Sequence, residues 1–479
     1  MRYRSHNRDA RDIFETIREH RRFKENLVIW MGLRASDYRL IDFLRPDVIA
    51  STRYGRDTIP LESKLSVVST EKVTKIRSDS SMSELNSLLP ALLRELARHP
   101  SDVYIVSYHS TPMLESLVRR FPNLHIMNPP SYLRQYLDQK TVVTQQLWML
   151  GIRTIPGTEG AIRPGEFDGH ARQYGLPLVV RFDRSAAGYG VHLVNEPEEF
   201  DEIADTHRNM PASVMKYIDG KSMSISAVRT RDCTILSDIS MQIIGQPECT
   251  PHKFGWCGND FNITQTISDE ETAQIRHMAL QVGSWIHRLG YRGIYGIDFM
   301  SDGNTVYFTE INPRFLGTSA LMVDRQEEIG KLPISFFHII PYLPNIYLDQ
   351  DGVDQYNLWQ KPLNVSQILL HNVGGRPLTL HHNLMPGKYL YENDELQYAG
   401  PAQNLSDTTR YDEIVITGEI PVDETIVPPI SDELCKILTY EQVLDKTGKR
   451  LTPWAQALAK KVYSTLANGE MHGAHGNGT

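Results

Sequence analysis

Cysteine is scarce: four residues in 479, at 233, 249, 257 and 435, with no C-x-x-C pair. That excludes a disulfide framework and argues against a zinc ribbon, and a reducing cytoplasm is the expected setting. Long apolar runs are missing too; none approaches the ~18 residues of a membrane helix. A basic excess is absent, since 50 Lys and Arg stand against 58 Asp and Glu for a net charge of −8. A general nucleic-acid binder is thereby disfavoured, so neither a nucleic-acid nor a membrane partner is expected. The first 26 residues lack an apolar h-region, and Asp9, Asp12, Glu15 and Glu19 do not suit a transit peptide. An exposed charged helix is expected there. No internal repeat is found. What is present is ordinary globular composition, 41% hydrophobic and 23% charged, in a chain long enough for two to four domains.

Segments 27–31 (LVIWM) and 103–107 (VYIVS) read as buried strands around a Leu-rich helical segment that Pro90 either kinks or restarts. This order predicts a small parallel α/β domain over 1–128, ending at Asn128-Pro129-Pro130. A second domain is expected over 129–344. It holds a helix ending before Gly151, a run of strands, a helix opened by a Ser268/Glu271 capping box, and a hairpin turning at Ser-Asp-Gly-Asn. From 345 to 467 the texture becomes β-rich with a closing helix, which predicts a further domain. Residues 468–479 read as a disordered tail.

The densest chemistry is in the hairpin. Glu310 and Asn312 are two apart on a strand and share a face. Asp298 stands on the preceding strand and can approach them. Two carboxylates and an amide oxygen suit a hard cation such as Mg²⁺. Spacing alone leaves a solvated hairpin open. Arg314, just past Pro313, is placed to grip phosphate or carboxylate oxygens. Upstream, the strand PLVV ends in Arg181 and runs into Ser185, Ala186, Ala187, Gly188 and Gly190. Small residues let backbone N–H groups approach phosphate, although a plain hairpin turn fits equally and no Walker A lysine follows. Lys140 near a helix start and the strand–turn–strand SVMKYIDGKSMSI say little in isolation.

In this order, DQKTVVTQQLWMLGIRTIPG, LPLVVRFDRSAAGYG, SVMKYIDGKS, GIDF and EINPR resemble the ATP-grasp superfamily of ADP-forming ligases. The resemblance runs from about Pro129 to Leu343. It implies an α+β ATP-grasp fold with a lid over about 175–235, behind an N-terminal parallel α/β pre-ATP-grasp domain and before a small β-rich C-terminal domain. It implies ATP as cofactor with Mg²⁺, or Mn²⁺ in its place. By position, Lys140 and Arg181 are phosphate ligands, and the loop carrying Ser185, Ala186, Gly188 and Gly190 closes over the phosphates. Lys216, Tyr217 and Ile218 line the adenine slot. Asp298, Glu310 and Asn312 hold the metal, and Arg314 neutralises the transferred phosphoryl group. Met215 and Ser222 depart from the pattern, since many relatives carry acids there for the adenine amine and the ribose; Asp219 is the substitute at hand.

The C-terminal segments SQILLHNVGGRPLTL and GKRLTPWAQAL resemble the extra domain of pheganomycin-type peptide ligases. That implies a carboxylate–amine ligase in natural-product biosynthesis. It would join a small carboxylic acid or amino acid to an amine or peptide through an acyl phosphate, as a homodimer like many relatives. An ATP-grasp kinase or carboxylase, and a non-catalytic nucleotide binder, are the alternatives. His252 and Lys253, beside Trp256 in a turn-rich insertion, belong either to a substrate loop with a catalytic part or to a long connection.

Overall fold

The N-terminal sheet forms as the apolar pattern predicts. Leu27–Gly32 (β1), Val48–Ser51 (β2), Ser66–Ser69 (β3), Val103–Ser107 (β4) and Leu124–Ile126 (β5) pair in parallel, in the order β3-β2-β1-β4-β5. Burial on both faces explains the near-continuous apolar runs of β1 and β4. Pro90 restarts the Leu-rich segment: a 3₁₀ turn over Met82–Ser87 precedes a helix over Leu89–Leu96. The computed structural model describes residues 19–467 apart from 78–80, 184–187, 189, 263–265, 345, 349, 359–361, 381 and 430–432, and the backbone of residues 2–3. Most of the charged N-terminal segment, and the whole 468–479 tail, lie outside the described residues.

A four-stranded antiparallel sheet follows, made of Gly157–Ala161 (β6), Leu178–Phe182 (β7), Val191–Val194 (β8) and Pro211–Lys216 (β9) in the order β6-β9-β7-β8. Helices Phe167–Tyr174 and Pro197–Thr206 complete it, and Phe167, Leu178, Val180, Phe182 and Phe200 give it a core of its own. A body with a separate core can move as a unit, which is what a lid requires. This sheet with its two helices runs from 157 to 216, beside the 175–235 expected for a lid. Four residues past its last strand stands Gly220, where a Cβ would lie 1.9 Å from the Ser301 carbonyl oxygen. The chain is already packed against the next sheet there, and Lys221–Arg229 (β10) enters that sheet.

That sheet has ten strands. To β10 it adds Thr234–Ile244 (β11), Trp256–Asp260 (β12), Gly293–Ser301 (β13), Val306–Asn312 (β14), Ser366–His371 (β15), Gly387–Glu392 (β16), Glu395–Gly400 (β17), Glu413–Thr417 (β18) and Glu433–Thr439 (β19). The order is β14-β13-β10-β11-β12-β15-β19-β18-β16-β17. The β-rich segment after 345 thus extends the same sheet. β12 and β15 join the two halves, and Gly258 makes their contact feasible: its φ is +118°, and a Cβ would lie 1.9 Å from the Gln367 oxygen. The helix Asp269–Arg288 packs on this sheet behind the expected capping box, with Glu271 N donating to Ser268 Oγ and Ser268 N to Glu271 Oε2.

Candidate functional site

The site is built on the β13–β14 hairpin. Asp302 Oδ1 accepts from the backbone N–H groups of Asn304 and Thr305, which fixes the turn and hence the register. In that register Asp298 stands opposite Glu310, and Gly296 opposite Asn312. The ladder skips Thr309, and the carbonyl of this bulged residue accepts from Arg181 Nη1 at 2.9 Å. Arg181 thereby reaches from β7 of the four-stranded sheet to the hairpin. Lys140, the first residue of the helix Lys140–Met149, reaches Glu310 Oε2 at 3.3 Å.

The two carboxyls are electrostatically unlike. Burial, then the neighbouring Glu310, pushes Asp298 up. Burial pushes Glu310 the same way, but Lys140, Arg181 and Arg314 outweigh it and hold Glu310 below the usual carboxylate range. Asp298 Oδ1 is buried and accepts no hydrogen bond among the described residues. An orphaned oxygen beside a facing carboxylate fits a hard divalent cation. Asn312 needs one adjustment. Its Nδ2 donates to Asp298 Oδ2 at 2.9 Å and lies 3.4 Å from Glu310 Oε1, while its Oδ1 accepts from Arg314 at 3.2 Å. The amide N–H₂ thus occupies the acceptor cluster that a cation would fill. Asn312 presents oxygen to a metal only after its amide turns over.

Arg314 also donates to the Tyr108 hydroxyl at 2.6 Å, and its guanidinium lies over that ring at 5.4 Å. Tyr108 follows β4, at the carboxyl end of the parallel sheet, where open α/β folds hold ligands. His109 is next, with Nδ1 at 3.1 Å from the Ser110 carbonyl; burial, then Arg134 and Arg314, lowers it to about 3.

The remaining candidates divide. Ser185 and Ala186 lie outside the described residues. Gly188 has φ +85°, and a Cβ there would stand 2.0 Å from the Phe254 oxygen, so Gly188 itself rests on the 252–254 segment. The Gly190 carbonyl accepts from Phe182 N and closes the loop. His252 and Lys253 line a cavity of about 430 Å³ with Gly188, His192, Glu199 and Glu202. They do not enter the hydrogen-bond network of Asp298, Glu310 and Asn312 among the described residues. Lys216, Tyr217 and Ile218 lie at the end of β9 and on the link to β10, with Lys216 N donating to Pro156 O. Asp219 is exposed and paired with Lys449 at 2.8 Å, which ties up the expected substitute acid. Met215 is buried, and Ser222 Oγ donates to Gln242 Oε1, which makes Gln242 the nearby polar group.

Several residues here escape sequence reasoning. Asp183 accepts from Thr141 N at 2.7 Å and Thr141 Oγ1 at 2.9 Å, which fastens the helix bearing Lys140 to the end of β7. Ser213 donates to Glu159, in one cross-strand row with Arg181; burial raises the Glu159 carboxyl. Of these only Asp183 had a local signal, an acid immediately after the basic strand end.

A family model described as an ATP-grasp domain matches residues 166–318. The arginine-specific carbamoyl phosphate synthase large chain of Geobacillus stearothermophilus is 23% identical over 271 residues, 56% of this chain and 24% of that one. The formate-dependent phosphoribosylglycinamide formyltransferase of Syntrophotalea carbinolica is 25% identical over 152 residues, 31% of this chain and 37% of that one. The match thus spans well under two thirds of either relative. Among solved structures, biotin carboxylase of Campylobacter jejuni, in its β,γ-ATP complex, superposes with TM-score 0.57 at 15% identity, over 87% of each chain. Phosphoribosylamine–glycine ligase of Thermotoga maritima gives 0.51 at 13%, over 92% of this chain and 96% of that one.

Proposed function

Because residues 166–318 form an ATP-grasp domain within a chain of ATP-grasp fold, we propose that this protein is an ADP-forming carboxylate–amine ligase. The observation that carries the reading is the convergence of Lys140 and Arg181, from two different elements, on a hairpin whose facing acids are Asp298 and Glu310.

In this reading Asp298, Glu310 and the turned amide of Asn312 hold Mg²⁺ (or Mn²⁺), which supplies charge neutralisation at the phosphates of ATP. Lys140 and Arg181 bind phosphate oxygens, and the loop at Ser185, Ala186, Gly188 and Gly190 closes over them. Lys216, Tyr217 and Ile218 border the adenine. The acid substrate attacks the γ-phosphorus, and ADP leaves. Arg314, fixed by Tyr108 and Asn312, stabilises the charge on the acyl phosphate. An amine then displaces phosphate and an amide forms. Positioning supplies most of the rate, and lid closure keeps water from the acyl phosphate.

The finer reading is a pheganomycin-type peptide ligase of natural-product biosynthesis, homodimeric and cytoplasmic. It draws on the strand pattern after residue 366 and on the His252–Lys253 loop against Gly188 as a substrate-side wall. The test is ADP release from Mg·ATP with pooled amino acids and short peptides, with mass spectrometry on the same reactions. A product of acid plus amine minus water supports the reading. A product gaining one phosphate makes the protein a kinase, and ATP binding without stimulated ADP release makes it a nucleotide binder.

A further inference from the structure

Arg134 and Asp138 stand one helical turn apart, Arg134 Nε 3.2 Å from Asp138 Oδ2, both half-buried. An i,i+4 ion pair on a solvent-facing helix would be unremarkable in function. This one turns toward the reaction centre. Asp138 lies within electrostatic reach of Arg314, Glu310 and Lys140 as well as Arg134. Arg134 bears on His109, which Arg314 also flanks. Arg134 Nε is buried and makes no well-aligned hydrogen bond among the described residues. The His109 ring, with Nδ1 3.1 Å from the Ser110 carbonyl oxygen, is the third side chain near these two guanidinium groups. The pair follows the last strand of the parallel sheet, on the helix Ser131–Leu137 and its C-terminal cap, in the neighbourhood of Arg314 and Lys140.

A guanidinium and a carboxylate side by side match the two charges of a free α-amino acid. From this we infer that Arg134 and Asp138 dock the acceptor amine as a zwitterion, Arg134 taking its carboxylate and Asp138 its ammonium. The inference rests on the amide-ligase reading. The ammonium gives one proton to the Asp138 carboxylate. Its nitrogen lone pair attacks the acyl carbon and forms the C–N bond. The C–O bond to phosphorus breaks, and phosphate leaves with the electron pair and takes up the second nitrogen proton. Asp138 then returns its proton to water.

Two assays separate this inference from the reading beneath it. Hydroxylamine traps an acyl phosphate as a hydroxamate without any acceptor site. With each of the twenty amino acids and a panel of small aliphatic and aromatic carboxylic acids as acid, the wild-type protein is expected to give ATP-dependent hydroxamate with at least one; none from any would overturn the ligase reading and this inference with it. With that acid, kcat/KM is then compared for glycine and alanine against glycinamide and alaninamide as acceptors. The free amino acids are expected to exceed their amides at least ten-fold. Arg134→Leu should collapse that ratio to about one, and Arg134→Lys should restore most of it. Asp138→Asn should lower kcat/KM for amino acid and amide alike by more than ten-fold. An amide preference in the wild type, or a ratio unmoved by Arg134→Leu and Arg134→Lys, would overturn the assignment.

Discussion

Asp298 and Glu310 face each other across one rung of the β13–β14 ladder, yet their protons are held in opposite ways. Asp298 is buried with one oxygen unpartnered, and its carboxyl is pushed up; Glu310 is held down by Lys140, Arg181 and Arg314. One acid is thus poised to lose a proton to an arriving cation while the other is already ionised. Asp298→Asn or Glu310→Gln should lower Mg·ATP-dependent ADP release by roughly 10²-fold or more. Circular dichroism should show the fold retained. Near-normal ADP release from either folded variant would remove the pair from the reaction.

Asp183 couples the end of β7 to the helix that carries Lys140, through two bonds to Thr141. Asp183→Ala frees the first turn of that helix without touching Lys140 itself. A lost cap of this kind costs about 1–2 kcal/mol. The expected kinetic outcome is a KM for ATP raised about ten-fold, with a smaller change in kcat. Urea unfolding and ADP release against ATP concentration measure both.

Gly188 and Gly290 have nearly the same backbone, φ +85° and +89°, but different surroundings. A Cβ on Gly188 meets the Phe254 oxygen at 2.0 Å; one on Gly290 meets nothing within 4 Å. Alanine at either position strains the left-handed conformation by roughly 1 kcal/mol. Only Gly188→Ala also pushes the glycine loop off the 252–254 segment. Turnover should fall at least ten-fold for Gly188→Ala and stay within two-fold for Gly290→Ala. Equal losses in the two variants would show that strain alone, not the contact, matters.

What the sequence reveals of this molecule is what local periodicity encodes. The hairpin with Asp298, Glu310 and Asn312 is legible because period-2 spacing fixes which side chains share a face. The Ser268/Glu271 box is legible because its partners are three residues apart. Strand partnership is different. Alternation marks Ser366–His371 as a strand but does not say that it joins β12. The bond from Arg314 to Tyr108 spans 206 residues, and that from Thr141 to Asp183 spans 42. The first leaves no local trace, and the second only an acid just past the strand that carries Arg181. The Asn312 amide shows the same limit at the smallest scale, since which end faces the acids depends on Arg314 holding the other.

His338 offers a pH test of the seam between the N-terminal sheet and the large sheet. Its Nδ1 accepts from Ile294 N at 3.0 Å and its Nε2 donates to Met127 O at 2.9 Å, so both ring nitrogens are committed only in the neutral form. The ring is fully buried, and burial lowers it from 6.5 to about 4. Above pH 6.5 neither the folded nor the unfolded chain carries this proton, and the neutral ring's contribution is intact. Between 6.5 and about 4 the unfolded chain binds the proton and the folded one does not, so stability falls as the pH falls. The full loss approaches about 3 kcal/mol, at 1.36 kcal/mol for each unit of the shift. His338→Gln keeps one acceptor and one donor but does not titrate. It should be less stable than the wild type at pH 7.5, and the gap should narrow steadily in urea unfolding at pH 6.5, 5.5 and 4.5. A gap that stays constant across that range would mean His338 is protonated alike in both states, and the Ile294 N–H would need another acceptor.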